Sequence, residues 1–340
     1  MYEEKSIINT MASLLPRSNE QLNGLFESDS EIISFHGKKL LFTVDDYSRE
    51  DRFREHDPYN LGWNLTVATL SDILASGGVP RYYAHSVNYN KRTWTREYIT
   101  NFTKGVSDAL KTMHTYFIGG DTGTSEQWHY TGIAIGDSES PVTRVGMKPG
   151  DLILMTGQIG AGNLEAAFSL YSDNPFLTRI LKHYRTRLPV RSREAVLIRE
   201  FATSCIDSSD GVLNALITLS ELNDCGFELT HTPYLPSGKA ACKILSKPQE
   251  LLLLGECGEY ELVFTIPEVE YNNFLHHSKA LNLHFNLLGR ITESPGRILN
   301  NADMEIDFTL FEIRGRDYTN LSLYLEDLTH YLNSHEKSKK

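Results

Sequence analysis

The chain has 340 residues, 40% of them hydrophobic and 10% aromatic, with a formal net charge of −11 from 44 acidic against 33 basic residues. That composition belongs to a globular protein rather than a disordered one, and the length suits two cores better than one. The acidic balance excludes a nucleic-acid backbone as the main partner, since phosphate binding there rests on clustered Lys and Arg; it leaves room for a nucleotide held through divalent cations.

Residues 1–26 read as an irregular lead with one helical piece. Two strands follow, Glu31–Phe35 and Lys39–Val44, joined by a turn at His36–Gly37. Asp57-Pro58 then starts a helix, with Asp as N-cap and Pro in the first turn. Its apolar residues Leu61, Leu65, Ala68, Leu70, Ile73 and Leu74 fall at helical spacing, and Gly77-Gly78 close it. Asp72 sits beside that apolar stripe, where a charge is costly unless paired or bound to metal. A strand at Tyr82–Asn90 and a helix at Thr95–Met113 lead to TYFIGGDTGT. There an apolar run is expected to stop at two glycines and to deliver Asp121.

Trp128–Ile135 reads as another strand. Pro149-Gly150 make a turn into the strand Leu152–Met155, and this places a domain junction near residue 148, giving units 1–147 and 148–340. The glycine-rich turn of TGQIGAGNLEAAFSL opens a helix whose N–H groups favour anions, but it is neither a P-loop nor a dinucleotide fingerprint. After a basic connector, Arg185–Arg193, and a further helix comes TSCIDSSDG. Asp210 or Ser209 can cap the helix Val212–Leu222, which leaves Asp207 as a free carboxylate. Strands at Gly226–Thr230, Tyr260–Ile266, His284–Leu288 and Met304–Phe308, a helix around Gly238–Ile244 and a C-terminal amphipathic helix complete the pattern.

No apolar run approaches membrane-spanning length, and MYEEKSIINT lacks a signal pattern. Cys205, Cys225, Cys242 and Cys257 show neither CxxC pairing nor zinc spacing, so a cytoplasmic protein with reduced, structural thiols and no membrane partner is expected. The informative feature is repetition. Asp45, Asp46, Asp121, Asp207 and Asp210 recur at the ends of strand-like runs, with Asp72 on a helix. Carboxylates gathered in this way are hard oxygen donors and point to a polyvalent metal site.

LGWNLTVATLSDILASGGVP, FIGGDTG, TRVGMKPGD, CIDSSDG and GEYELVFT, in this order, resemble the thiamine-monophosphate kinase family, over about residues 27–318. That family stands in a superfamily with aminoimidazole-ribonucleotide synthetase and selenophosphate synthetase. The resemblance implies an α+β fold of two α/β-sandwich-type domains of the aminoimidazole-ribonucleotide-synthetase-like fold. It further implies ATP in the cleft between them and a homodimer whose N-terminal sheets join into a barrel.

Residue by residue, the resemblance implies magnesium positions at Asp29, Asp45, Asp72, Asp121 and Asp207, and nucleotide contacts at Gly120, Asp121, Arg144, Ser209 and Asp210. It assigns the catalytic role to Asp45, Asp121 and Asp210. A guanidinium at Arg144 presents a rigid fork of donors suited to phosphate. The substrate positions depart from the family pattern. Its His-Phe is Arg52-Phe53 here, its substrate-contacting Glu aligns with Gly258 unless a gap restores Glu256 or Glu259, its C-terminal aromatic is Ile313, and its Lys early in the Asp72 helix is Asn64.

The expected activity is Mg²⁺-dependent transfer of a phosphoryl group from ATP to a small phosphate-bearing or anionic metabolite, not necessarily thiamine monophosphate. The alternatives are an ATP-dependent amide- or carbonyl-activating ligase and an ATP-binding protein without turnover. Selenophosphate synthesis is disfavoured because no Cys precedes Cys205, and the related carbamoyl dehydratase because HEKSKK lacks one.

Overall fold

The computed structural model describes residues 2–51, 55–170, 187–301 and 304–338. The strands are β1 (Glu31–Phe35), β2 (Lys38–Ser48), β3 (Val79–Tyr89), β4 (Tyr116–Thr124), β5 (His129–Asp137), β6 (Leu152–Thr156), β7 (Ser204–Asp207), β8 (Gly226–Leu229), β9 (Leu262–Ile266), β10 (Phe285–Thr292), β11 (Arg297–Asn300), β12 (Met304–Asp307) and β13 (Glu336–Ser338). The helices described are α1 (Tyr2–Leu14), α2 (Pro58–Ala75), α3 (Arg96–Thr112), α4 (Ala161–Leu170), α5 (Ser192–Phe201), α6 (Val212–Asn223), α7 (Pro236–Ile244), α8 (Leu251–Leu254), α9 (Tyr271–Ala280) and α10 (Leu321–His335). The strands form two sheets, ordered β1-β2-β5-β3-β4 and β13-β12-β11-β8-β10-β6-β9-β7. The chain is therefore α+β, with the first sheet drawn from residues before 138 and the second from residues after 151.

Helix α2 organises both. Asp57 caps it by accepting the Asn60 N–H at 3.2 Å, and Pro58 occupies the first turn, where its missing N–H costs nothing. The helix is buried on nearly all sides, as expected of an element covered by structure all round. Its apolar residues share one core with Leu41, Tyr83 and Tyr130 of the first sheet and with Leu154, Leu262 and Phe264 of the second. Helix α3 crosses it at a pair of glycines. A Cβ on Gly62 would stand 2.1 Å from Phe102 O, and one on Gly105 2.0 Å from Tyr59 O, so only glycine admits this approach. Beyond α2, Gly77 turns the chain out at φ +67°, as read from the sequence.

Two strands run further than the sequence pattern suggests. β2 continues to Ser48, which puts Asp45 and Asp46 inside the strand. β4 passes through both glycines to Thr124. Its pairing with β3 slips between Tyr83↔Phe117 and Ala84↔Gly119, so the extra residue is absorbed as a bulge at Gly119. Helix α6 also departs from expectation: Gly211, rather than Ser209 or Asp210, is its N-cap residue. Strand β11 and helix α9 were not anticipated. Among the described residues no helix is long and apolar enough to cross a membrane, and none of the four cysteines is in a disulfide, Cys257 alone of the four being exposed.

Candidate active site

Strand alternation turns Thr43, Asp45 and Tyr47 of β2 toward α2. The helix answers with Asp72, whose Oδ2 accepts from Thr43 Oγ1 at 2.5 Å. The C-terminal end of β7 brings Asp207, and the segment before β1 brings Asp29. One carboxylate oxygen from each of Asp29, Asp72 and Asp207 lies within 4.8 Å of the others. Asp45 stands near enough to raise the Asp72 pKa, and its own Oδ2 accepts from Tyr47 OH at 2.9 Å. Asp207 accepts from Ser71 Oγ and, at 3.3 Å, from the Ser209 N–H. Four residues distant in sequence thus converge where the two sheets meet α2.

The charges are poorly compensated. Burial pushes the Asp45 carboxyl up to about 7, against the pull of the Tyr47 hydroxyl, and Asp207 and Asp29 push it further. Burial and then Asp29 raise Asp207 to about 6, although Ser71, Ser209 and Arg144 oppose them. Asp72 is raised well above the usual carboxylate range by burial, Asp45, Asp207 and Asp29. The opposing charge comes from Arg144, whose Nη2 donates to Asp29 Oδ1 at 2.7 Å. Burial works against that guanidinium, but Asp29, then Asp72 and Asp207, hold it firmly protonated.

A divalent cation fits this donor set. Oxygens on opposite sides of an ion stand roughly 4–5 Å apart for metal–oxygen bonds of about 2.1–2.5 Å, and an all-oxygen set suits Mg²⁺ or Ca²⁺. Asp29 Oδ2 is buried with no hydrogen-bond partner, an acceptor of the kind a cation satisfies.

Asp121 stands apart from this cluster. Register aligns Asp46, Thr131, Ser86 and Asp121 in one row across β2, β5, β3 and β4. Thr131 Oγ1 donates to Asp46 Oδ1 at 2.8 Å in that row. With strands about 4.8 Å apart, Asp121 is about 14 Å from Asp46 along the sheet, on the face opposite Asp45. Within one chain the register thus sets Asp121 apart from Asp45, Asp72 and Asp207. Gly120 lies beside it, against His85. Ser209 is half-buried next to Asp207, and Asp210 is exposed.

The substrate positions fall as follows. Arg52 and Phe53 lie outside the described residues. Gly258 packs its backbone on Ser208 and Ser209, so that a Cβ would sit 2.0 Å from Ser209 O. Glu259 is buried, accepts the Gly160 N–H at 2.8 Å, and is pushed by burial up to about 8. Glu256 accepts from the Gly315 N–H, from Asn214 at 3.1 Å and from Arg314 at 3.4 Å. Ile313 and Arg314 border an open cleft of about 440 Å³ with Asp317 and Tyr318. Asn64 Oδ1 accepts the Leu188 N–H at 2.9 Å.

Sequence reasoning missed Thr43, Tyr47 and Ser71, which hold the aspartates from behind. Period-2 spacing in TVDDY carries Thr43 and Tyr47 to the face of Asp45, and that signal was available. Tyr260 was missed as well. It lies close enough to Asp207 and Asp45 for both to raise its pKa, after burial, and its φ of +54° is a strained conformation for a tyrosine.

Residues 27–137 match the family model described as AIR synthase related protein, N-terminal domain. The thiamine-monophosphate kinase of Pyrococcus horikoshii is 26% identical over 304 residues, covering 88% of this chain and 94% of the relative. That of Bacillus subtilis is 26% identical over 269 residues, covering 76% and 82%. Among solved structures, AaThiL complexed with AMPPCP and TMP superposes with a TM-score of 0.75 at 23% identity, covering 88% of this chain and 92% of that one. E. coli HypE superposes at 0.62 and 17% identity, covering 87% and 93%.

Proposed function

We propose that this chain, which is similar over most of its length to thiamine-monophosphate kinases, transfers the γ-phosphoryl group of ATP, with Mg²⁺, to a small phosphate-bearing or anionic metabolite. One observation carries the reading: the convergence of Asp29, Asp72 and Asp207, with Asp45 beside them, on a single point. Phosphoryl transfer asks a protein for positioning and charge neutralisation more than for covalent chemistry. Asp29, Asp45, Asp72 and Asp207 would hold Mg²⁺, which would supply positive charge to offset that of the transferring phosphate.

The protein's own part is to fix those four carboxylates. Thr43, Tyr47 and Ser71 donate to three of them, and Arg144 holds the fourth. Ser209 and Asp210, at the mouth of α6, are assigned to the nucleotide. An acceptor phosphate is already an anion at neutral pH and attacks without a general base. In this reading residues 1–147 supply Asp29, Asp45, Asp72 and Arg144 to metal and nucleotide, and residues 148–340 add Asp207, Ser209 and Asp210 and close the cleft.

Asp121 and Gly120 enter through a second copy. The face of the first sheet turned away from α2 exposes Phe42, Val44, Tyr82 and Tyr116, and it ends in the polar row that contains Asp121. An open apolar sheet face of this kind favours association. Two such faces closing a barrel would bring Asp121 of one protomer toward its partner's nucleotide. Val44→Asp would then yield a monomer by sedimentation velocity; an unchanged sedimentation coefficient would dismiss the barrel.

The reading is tested by offering Mg²⁺-ATP with thiamine monophosphate and a panel of small phosphate monoesters, and following ADP and the phosphorylated product. Product from one of them is expected. ATP binding by calorimetry with no ADP from any acceptor would replace the kinase by a nucleotide-binding protein. The departures at Gly258 and Ile313 make an acceptor other than thiamine monophosphate the more informative half of that panel.

A further inference from the structure

Arg144 is held in an unusual way. Its backbone is pinned on both sides: its N–H donates to Glu27 O at 2.7 Å, and its carbonyl accepts from Asn223 Nδ2 at 2.9 Å. The guanidinium reaches from that fixed base to Asp29, whose side chain is only 1% exposed, and makes a long 3.4 Å contact to Phe26 O. Both members of the pair are incompletely satisfied. Arg144 Nε and Asp29 Oδ2 are buried without hydrogen-bond partners among the described residues. A buried donor and a buried acceptor left unmade on one ion pair mark an arrangement that a better ligand can displace.

The competing ligand is set by the cluster itself. Asp29 offers an oxygen to the same point as Asp72 and Asp207. A single positive charge there faces several carboxylates, whereas a divalent cation on three oxygens neutralises more charge at shorter range. Resting on the metal-site reading above, we propose that Arg144 is a built-in counter-cation that competes with the divalent metal for Asp29. Metal entry releases its guanidinium, and the pinned backbone leaves the side chain as the moving part. The freed fork then serves an incoming anion, and this links metal occupancy to nucleotide binding.

The test uses the full chain without nucleotide, with Mn²⁺ as the probe, titrated by calorimetry and by the loss of the free-ion EPR signal. Arg144→Gln removes the competitor and is expected to bind Mn²⁺ about tenfold more tightly than the unaltered protein, the equivalent of one favourable charge contact. In the same variant, affinity for AMPPNP in the presence of Mn²⁺ falls. Unchanged or weaker Mn²⁺ binding by Arg144→Gln overturns the competition and leaves the metal site standing. Adding Asp72→Asn must abolish the gain. A gain that survives it places the Mn²⁺ elsewhere and overturns the metal-site reading itself. Arg144→Lys keeps a cation but loses the fork, and its Mn²⁺ affinity falls between the two. It also serves as the test protein if Arg144→Gln fails to fold: affinity equal to the unaltered protein's then counts against the proposal.

Discussion

Two acidic stretches of this molecule, similar in charge, are handled in opposite ways. In the segment leading into β9, Glu256, Glu259 and Glu261 each have a donor of their own. Glu261 receives both arms of the Arg191 fork at 2.6 Å, Glu259 receives the Gly160 N–H, and Glu256 receives Gly315, Asn214 and Arg314. Around α2, by contrast, Asp29, Asp45, Asp72 and Asp207 face one another, with one guanidinium among them. Glu256 and Glu261 are satisfied within the fold and Glu259 keeps one oxygen, Oε2, without a partner among the described residues, whereas the four aspartates crowd a single point that calls for further positive charge. Counting carboxylates does not separate these cases; how closely the carboxylates face one another does.

The sharpest way to break that contrast is to remove one carboxylate from each stretch. Asp72→Asn is expected to lower kcat/KM on the order of a hundredfold or more, since charge neutralisation supplies most of the catalysis in phosphoryl transfer. Its metal-free melting temperature stays level or rises, because a like-charge contact has gone. Glu261→Gln is expected to do the reverse. It leaves the half-buried Arg191 with Glu194 in place of two carboxylates and costs about 2 kcal/mol of stability with or without Mg²⁺. Paired thermal melts and steady-state kinetics read both outcomes. If Asp72→Asn melts far below the unaltered protein while keeping its activity, the two stretches are alike and the metal reading fails.

A pH series sharpens the same comparison with a smaller effect. Asp45 is raised to about 7 and Asp207 to about 6, mainly by burial. A carboxyl whose folded pKa exceeds its unfolded value, near 4, binds its proton more tightly when folded. The stability this brings is present in full below about pH 4 and is lost as pH rises through about 6 to 7. Without divalent metal the melting temperature should therefore decline between about pH 5 and pH 7.5. Saturating Mg²⁺ should remove the decline by favouring the ionised form, and Asp45→Asn should shrink it. A metal-free melting temperature that climbs over this interval contradicts the burial of these groups as ionisable carboxyls.

How much of this was legible beforehand follows the range of the interactions involved. Local signals read well. The Asp57-Pro58 start and Gly77 exit of α2, the strands β1 and β2, and the chain segments that carry Asp72 and Asp207 were visible in residue type and spacing, whereas Asp29 entered only through the family resemblance. Features that depend on a neighbour did not. GGD looked like a strand end, yet the bulge at Gly119 exists only because β3 is there to pair with β4. SSDG looked like a side-chain cap, yet Gly211 opens α6 at φ +84°. The Glu261 partner lies 70 residues away at Arg191, and nothing in GEYELVFT announces it. Strand β11 is four residues long and joins β8 in parallel, so its identity comes from the sheet rather than from its own pattern.

Tyr47 offers the smallest and most discriminating change. Its ring is buried against Tyr130, and its hydroxyl donates to Asp45 Oδ2. Burial, then Asp45, raise its pKa well above the ordinary tyrosine value, so it is a neutral donor at any pH at which the protein works. Such a donor behind a metal-binding carboxylate aims the oxygen and sets its basicity, and losing one typically costs about 10–100-fold in metal affinity or activity. Tyr47→Phe preserves the ring packing and removes only the hydroxyl. Mn²⁺ affinity and kcat/KM should fall together by about tenfold, with the melting temperature nearly unchanged. Should stability fall instead and Mn²⁺ affinity hold, the hydroxyl is core polarity satisfied by a convenient acceptor, and Asp45 belongs with Glu256 and Glu261, satisfied within the fold.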